Sequence, residues 1–174
     1  KAQMTQNNQI QNISSNQNKI GKLDIKSYVE NRKWEWKKIY KQGGEHAMTS
    51  SGPIYAGTAY IDESSIFELI VGQNVTRSFY NLINLQETIG TSNSIIFKTN
   101  INCNTKKYSN AYMQFFSEPF GKGQSAMNKE WKSNSPNIPW RKGRIVALSK
   151  HACKVKPAHI TNMQDIFNKL KKKN

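Results

Sequence analysis

From Trp34 onward, hydrophobic and polar residues alternate along the chain in short runs. Alternation with a period of two is typical of β-strands that have one buried face. The pattern predicts six strands, at residues 34–40, 55–61, 65–71, 75–85, 95–103 and 108–117. Because the connections between them are short and rich in turn residues, we expect an antiparallel meander.

The pattern changes after residue 117. Residues 118–142 contain several prolines and glycines, so we expect an irregular loop there. Ile145, Leu148 and Cys153 then fall on one stripe at helical spacing, and a second helix is expected with Thr161 as its N-cap. The chain is therefore predicted to be α+β, with an antiparallel sheet of about six strands and a C-terminal helix on one face.

Composition divides the chain into three parts. Residues 1–33 are rich in Gln, Asn, Ser and Lys, which predicts a flexible N-terminal tether. Residues 34–157 hold all the predicted strands and the first helix, and are expected to form one domain. Residues 158–174 are expected to form a basic C-terminal helix or tail.

The two cysteines, Cys103 and Cys153, are far apart and do not form a CxxC motif. The residues alone leave two interpretations open, namely buried free thiols or a disulfide in an exported protein. Cys103 lies on the apolar face of a predicted strand, and Cys153 lies on the apolar stripe of a predicted helix. A bridge would fasten that helix to the sheet, and closing so long a loop would remove about 4 kcal/mol of unfolded-state entropy.

The positive charge is concentrated in the second half of the chain. Residues 1–90 have 10 Lys/Arg and 8 Asp/Glu, a net of +2, whereas residues 91–174 have 16 and 3, a net of +13. Such a field attracts polyanions or acidic proteins, although a solvated surface without a ligand is the alternative. The candidate binding residues lie in predicted turns and the irregular loop, where side chains can be presented. They are Lys106, Lys107, Lys122, Lys129, Lys132, Arg141, Lys142 and Arg144.

The residue types that could carry catalysis or bind a metal do not form a recognisable site. His151, Cys153 and His159 could be drawn as a metal site, but their spacing matches no standard zinc pattern. Asp62 and Glu63 are adjacent, which suits a turn cap better than paired acid–base catalysis. We therefore expect no catalytic residue, no metal ligand and no cofactor, and a binding protein instead of an enzyme.

The aromatic residues of the sixth predicted strand leave a further alternative. Strand alternation predicts that Tyr108, Tyr112 and Phe116 share one face. Such a stripe could stack on nucleic-acid bases, but it is more often part of a core. Nucleic-acid binding is kept as the less favoured alternative.

Four segments of the chain form an ordered set of motifs. The first is Ala59–Ile66, with its tyrosine, acidic turn and Ser-Ile pair, and the second is Ile101-Asn102-Cys103. The third runs from Tyr108 through two adjacent phenylalanines to Gly121-Lys122-Gly123, and the fourth is Ala152-Cys153. In their order and spacing over residues 55–154, these segments resemble the surface-adhesin protein E family of Gram-negative bacteria.

The resemblance implies an exported, often lipid-anchored protein of the outer membrane, cell surface or periplasm, with a role in virulence. It implies a sheet that carries a helix on its concave face, joined by a Cys103–Cys153 disulfide. It also implies binding of host extracellular-matrix or plasma proteins such as plasminogen, vitronectin and laminin. The remaining alternative functions are a binder of anionic glycans or nucleic acid and a structural subunit of an envelope or secretion assembly. A homodimer is a further expected form of association.

Overall fold

The computed structural model describes residues 24–49, 52–132 and 135–172. The chain falls into two compact units, Lys1–Arg32 and Lys33–Asn174. In the first unit, helix α1 spans Ile25–Asn31. It begins after Asp24, whose carboxylate accepts a hydrogen bond from the Lys26 amide at 3.1 Å, as an N-cap does. Residues 1–23, most of the predicted tether, lie outside the described residues, so the tether stays a prediction.

Within its described residues, the second unit contains a nine-stranded sheet, a separate hairpin and two helices. The sheet strands are β1 (Trp36–Gln42), β4 (Gly57–Asp62), β5 (Phe67–Val71), β6 (Asn74–Ile89), β7 (Ser92–Asn102), β8 (Lys107–Glu118), β9 (Lys122–Glu130), β10 (Ile138–Pro139) and β11 (His159–Asn162). The hairpin pairs β2 (Ala47–Thr49) with β3 (Gly52–Ile54). The helices are α2 (Arg144–Lys154) and α3 (Met163–Lys171).

The three long strands β6, β7 and β8 form the middle of the sheet. Strands β4 and β5 pair with successive halves of one edge of β6, and β1 pairs with β4. On the other side, β9 and β10 pair with opposite halves of the outer edge of β8. All these pairings are antiparallel, whereas β11 pairs with β5 in parallel.

The six predicted strands correspond to β1 and β4–β8, and the predicted helix corresponds to α2, but a sheet of about six strands was too few. Strand β9 lies in the segment expected to be irregular, and almost all of its residues are exposed. An edge strand of this kind needs no apolar alternation, so the pattern did not mark it. Pro139 is tolerated because β10 is a two-residue edge strand. Thr161, the expected N-cap, lies in β11 instead, and the helix begins at Met163.

The prediction that Tyr108, Tyr112 and Phe116 share one face of the sixth strand was wrong for Tyr108. Lys98 pairs with Tyr112 and its neighbour Thr99 pairs with Asn110, so Ala111 is an extra residue in β8. This β-bulge places Tyr108 and Tyr112 on opposite faces of the sheet. Tyr112 is also only 2% exposed, so it cannot serve as an open stacking platform.

Helix α2 packs on one face of the sheet. Leu148 and Ala152 are fully buried and belong to a cluster with Ile61, Phe79 and Ile101. A second buried cluster includes Ile83 and Phe97. Each lies four residues from a member of the first cluster in the same strand, and residues an even number apart along a strand share a face. The second cluster therefore lies further along the same face. Complete burial of a side chain such as that of Leu148 contributes about 1.5–3 kcal/mol.

Candidate binding surface

Four of the predicted binding residues come together at one end of the sheet. The Trp140 amide donates a hydrogen bond to the Lys106 carbonyl at 2.9 Å, and Pro139 pairs with Lys107. The turn before β8 and the loop before α2 therefore lie side by side. We call the four exposed cations that they carry the basic end, and they are Lys106, Lys107, Arg141 and Lys142.

The turn that presents the first two of these lysines is built by asparagine chemistry. The Asn102 side-chain oxygen accepts hydrogen bonds from the amides of Asn104 and Thr105 at 3.0 and 2.9 Å. This Asx turn reverses the chain between β7 and β8. Lys106 completes it with a φ of 53°, in the left-handed region that a non-glycine residue enters at a cost of about 1–2 kcal/mol. The local sequence thus fixes where Lys106 and Lys107 leave the sheet.

The other predicted binding residues do not all join this end. In the register of β8 with β9, Lys122 lies opposite Glu118, at the other end of β8 from Lys107. Lys129 lies on β9, with its ammonium 4.9 Å from the centre of the Trp131 ring. Lys132 is the residue that follows Trp131 in the sequence. The Trp131 amide donates to the Ala111 carbonyl at 3.0 Å, so these two lysines lie along the outer edge of β8.

Arg144 is directed toward the sheet and not outward. Its guanidinium carbon lies 4.7 Å from the centre of the Phe97 ring, and Nη1 lies 3.4 Å from the side-chain oxygen of Asn81. Burial lowers the pKa of Arg144 to about 10, so the group stays charged at neutral pH. This arginine, at the start of α2, therefore contacts the sheet and does not join the exposed cations of the basic end.

The charges of the basic end are not paired with carboxylates in the part of the chain that the structure describes. Across the described ranges 24–49, 52–132 and 135–172, no carboxylate forms an ion pair with any of its four cations. Unneutralised exposed cations attract anionic partners and raise association rates, and salt screens both effects.

A rigid support lies next to the basic end. Cys103 and Cys153 form a disulfide with a Cα–Cα distance of 6.0 Å, which confirms the predicted pairing and joins the end of β7 to helix α2. Arg77 donates hydrogen bonds to the carbonyls of Ala152 and Val155 at 2.5 and 2.9 Å, which satisfies groups left open at the end of α2. Arg77 also pairs with Glu68 at 2.6 Å.

Sequence reasoning missed the Arg77–Glu68 pair. Both side chains are nearly buried, with 13% and 11% of their surfaces exposed. Each residue lies in a strand otherwise rich in apolar residues, and charged groups in such a position need a partner. The signal that could have identified the pair was one acidic residue in β5 and one basic residue in β6, two consecutive strands of the chain.

A small cleft lies where β4 ends, and its volume is about 340 Å³. It is lined by Glu35, Trp36, Lys37, Asp62, Glu63 and Ser64. The Asp62 carboxylate accepts hydrogen bonds from the amide and hydroxyl of Ser64 at 3.0 and 2.5 Å, which confirms its predicted role as a turn cap. Glu63 bonds to Lys37 at 2.8 Å and to His151 at 2.6 Å. The carboxylates of Asp62 and Glu63 are therefore engaged in structural bonds.

No group of three or more His, Cys, Asp or Glu side chains among the described residues is arranged to hold a metal ion. No helix in the described part of the chain is both long and apolar enough to cross a membrane.

Comparison with known proteins places this fold in context. The profile of the family described as surface-adhesin protein E matches residues 47–154. Crystal form II of Haemophilus influenzae protein E is 19% identical, covers 55% of this chain and 79% of its own, and has a TM-score of 0.41. A further structure of Haemophilus influenzae protein E is 17% identical, with coverage of 66% and 92% and a TM-score of 0.42. Comparison with curated proteins gives no significant match.

Proposed function

Because the chain belongs to the surface-adhesin protein E family, we propose that it is an exported binding protein of a Gram-negative cell surface and not an enzyme. The family match covers most of the sheet, helix α2 and the disulfide. In this proposal the protein is held at the outer membrane or in the periplasm, with a lipid anchor as one means of attachment. Its partners are host extracellular proteins, of which plasminogen, vitronectin and laminin are the candidates.

The observation that supports this proposal is the basic end. It brings together exposed cations from two segments that are distant in sequence, beside the Cys103–Cys153 disulfide. Side chains on turns that a rigid scaffold holds in place are well suited to binding. Charges of this kind act mainly on association rate and salt sensitivity, so an acidic surface on the partner is expected.

A matched pair of charge variants tests the proposal. In the first variant the four residues of the basic end are replaced by Gln. In the second, four exposed lysines elsewhere are replaced by Gln, so that net charge falls equally; these are Lys38, Lys41, Lys150 and Lys156. We expect the first variant to lose at least about tenfold in affinity for immobilised vitronectin, plasminogen or laminin, and the second to change little, because local and not total charge is required.

The same variants separate the adhesin from a general polyanion binder, which the excess charge of the second half also favours. Heparin and DNA binding should fall steeply with salt and similarly in both variants if total charge is responsible. Loss of a protein partner only in the basic-end variant supports the adhesin. Unchanged affinity for a confirmed protein partner in that variant would refute the assignment of the site. A defined complex in envelope fractions, with no host partner, would favour a structural subunit.

A further inference from the structure

A row of polar side chains crosses the sheet on the face that carries α2. Asn81 of β6 donates a hydrogen bond to the Thr99 hydroxyl of β7 at 2.8 Å, and this hydroxyl donates to the Asn110 side-chain oxygen of β8 at 3.1 Å. We call these three residues the polar band. Asn81 and Thr99 are each only 1% exposed. Polar groups buried in the middle of a sheet cost stability compared with apolar ones, which makes the polar band a candidate for a functional role.

The polar band separates the two apolar clusters of that face. In β6, Asn81 lies between Phe79 of the first cluster and Ile83 of the second. In β7, Thr99 has the same position between members of the two clusters. The apolar core on this side of the sheet is therefore interrupted by groups that form hydrogen bonds.

Arg144, the first residue of α2, contacts the polar band. Its guanidinium lies over the Phe97 ring, which covers one face of the group. Among the described residues the guanidinium makes a single hydrogen bond, the long one of 3.4 Å to the Asn81 side-chain oxygen. A guanidinium has five N–H donors, so most of those of Arg144 have no acceptor within the described chain.

The charge of Arg144 also has no carboxylate partner. In residues 24–49, 52–132 and 135–172, no Asp or Glu side chain forms an ion pair with it. The groups that act on it electrostatically are the phenols of Tyr108 and Tyr55. Enclosed charges in proteins are normally paired, because removing a charge from water is costly. An enclosed arginine of this kind is therefore prepared for an anion that comes from outside the chain.

The donors around this point are within reach of solvent. Arg144, Tyr55, Tyr108 and Asn110 are all partly exposed, whereas the other two residues of the polar band are buried. The Tyr55 ring lies 6.1 Å from the Phe97 ring that supports the guanidinium. The arrangement thus combines a buried polar floor with partly exposed donors, as a binding site requires.

We propose that Arg144 and the polar band form a binding site for a carboxylate ligand on the helix face of the sheet. The planar guanidinium presents paired N–H groups whose spacing matches the two oxygens of a carboxylate. One carboxylate balances its single positive charge, whereas a phosphate dianion would leave an uncompensated charge in an enclosed place. The Asn110 side-chain nitrogen, which donates no hydrogen bond within the described chain, is a further donor in the same band. The site does not use the cations of the basic end, so it goes beyond the function proposed above.

Nitrogen NMR of the full chain, titrated with sodium acetate, tests the site. Sodium chloride is reduced in step so that ionic strength stays constant, and the pH is held at about 7, where acetate and the guanidinium are both charged. We expect saturable shifts of the Arg144 Nε signal and of the side-chain amides of Asn81 and Asn110. A dissociation constant on the order of 10 mM is expected, which lies within the ceiling on binding energy for so small a ligand.

Matched arginine variants make the test specific. Arg144→Met and Arg141→Met remove the same charge, but Arg141 is an exposed residue of the basic end. Acetate should no longer shift the Asn81 and Asn110 amides in Arg144→Met, and should shift them as in the parent in Arg141→Met. Arg144→Lys keeps the charge without the paired N–H groups, so the affinity should fall by about tenfold. Circular dichroism checks that each variant is folded before it is titrated.

Two results would overturn the proposal. One is a shift that grows in proportion to acetate without saturation, or that persists in Arg144→Met. The other is saturable binding of inorganic phosphate at these residues without binding of acetate. Once acetate binds, a short capped peptide with one glutamate identifies the source of the carboxylate. The peptide shifts the same signals if the ligand is an acidic side chain of a protein, whereas acetate alone shifts them if the ligand is a free organic acid.

Discussion

Helix α2 and the basic end are neighbours, yet they use charged residues in opposite ways. Around α2, charged side chains are paired within the protein. Together with the disulfide they hold the helix on the sheet, and we call this set of contacts the helix clamp. It consists of the Arg77–Glu68 pair with the Arg77 bonds to the helix carbonyls, the Cys103–Cys153 disulfide, and the His151–Glu63 contact. At the basic end the cations are exposed and have no paired carboxylate within the described residues. The carboxylates and the arginine of the clamp belong to residues 1–90, so the net charge of +13 in residues 91–174 does not by itself show where the exposed cations lie.

The largest expected loss of stability comes from breaking the buried ion pair of the clamp. Arg77→Met leaves Glu68 charged and nearly buried, and also removes both bonds to the end of α2. We expect the free energy of unfolding to fall by about 3–5 kcal/mol. Urea denaturation measures this value, and the two-state assumption is checked by comparing fluorescence with circular dichroism.

The matched control replaces both partners. Arg77→Met combined with Glu68→Leu removes the unpaired carboxylate, so the double variant should be more stable than Arg77→Met alone. A single variant that loses less than about 1 kcal/mol would show that the pair is not a strong part of the clamp.

Removal of the disulfide should have the next largest effect. Cys103→Ser with Cys153→Ser frees the unfolded chain from a long loop constraint, and we expect a loss of about 2–5 kcal/mol in unfolding free energy. Peptide mapping without reductant should find the two cysteines linked in the parent protein. Two alkylatable thiols in the native parent would contradict the bridge.

A smaller effect is expected from acid at the outer part of the clamp. The hydrogen bond from Lys37, together with that from His151, holds the pKa of Glu63 below its usual value of 4.5. The stabilisation is therefore present above about pH 4.5 and is lost as pH falls through the lower folded-state pKa. Unfolding free energies of the parent and of Glu63→Gln should converge toward acid pH. Parallel curves down to about pH 3 would contradict this linkage.

The smallest effect on stability is expected at the basic end. Exposed charges without partners contribute little, so replacing any one of the four by Gln should change unfolding free energy by no more than about 0.5 kcal/mol. The combined variant can even gain stability, because like charges are removed. A loss comparable to that of the clamp variants would show that these residues support the fold instead of serving a partner.

The middle of the fold and part of the site could be predicted from the sequence. The long strands β6–β8 and helix α2 were found because their apolar residues repeat with clear periods, and Asp62 was recognised as a turn cap. Strand β9 was missed because an exposed edge strand buries almost nothing and leaves no periodic signal. The proximity of Lys106 to Arg141 was also beyond prediction, since it arises from the pairing of β10 with β8.

The sequence by itself determined which segments could form strands or a helix, because burial of one face imposes a local period on the chain. It also determined how much charge the second half carries. Only the tertiary structure decided how that charge is used, since pairing depends on distances between residues far apart in sequence. Contacts between distant segments also decided two further features. The bulge at Ala111 places Tyr108 and Tyr112 on opposite faces of the sheet, and the Arg144 guanidinium lies over the Phe97 ring.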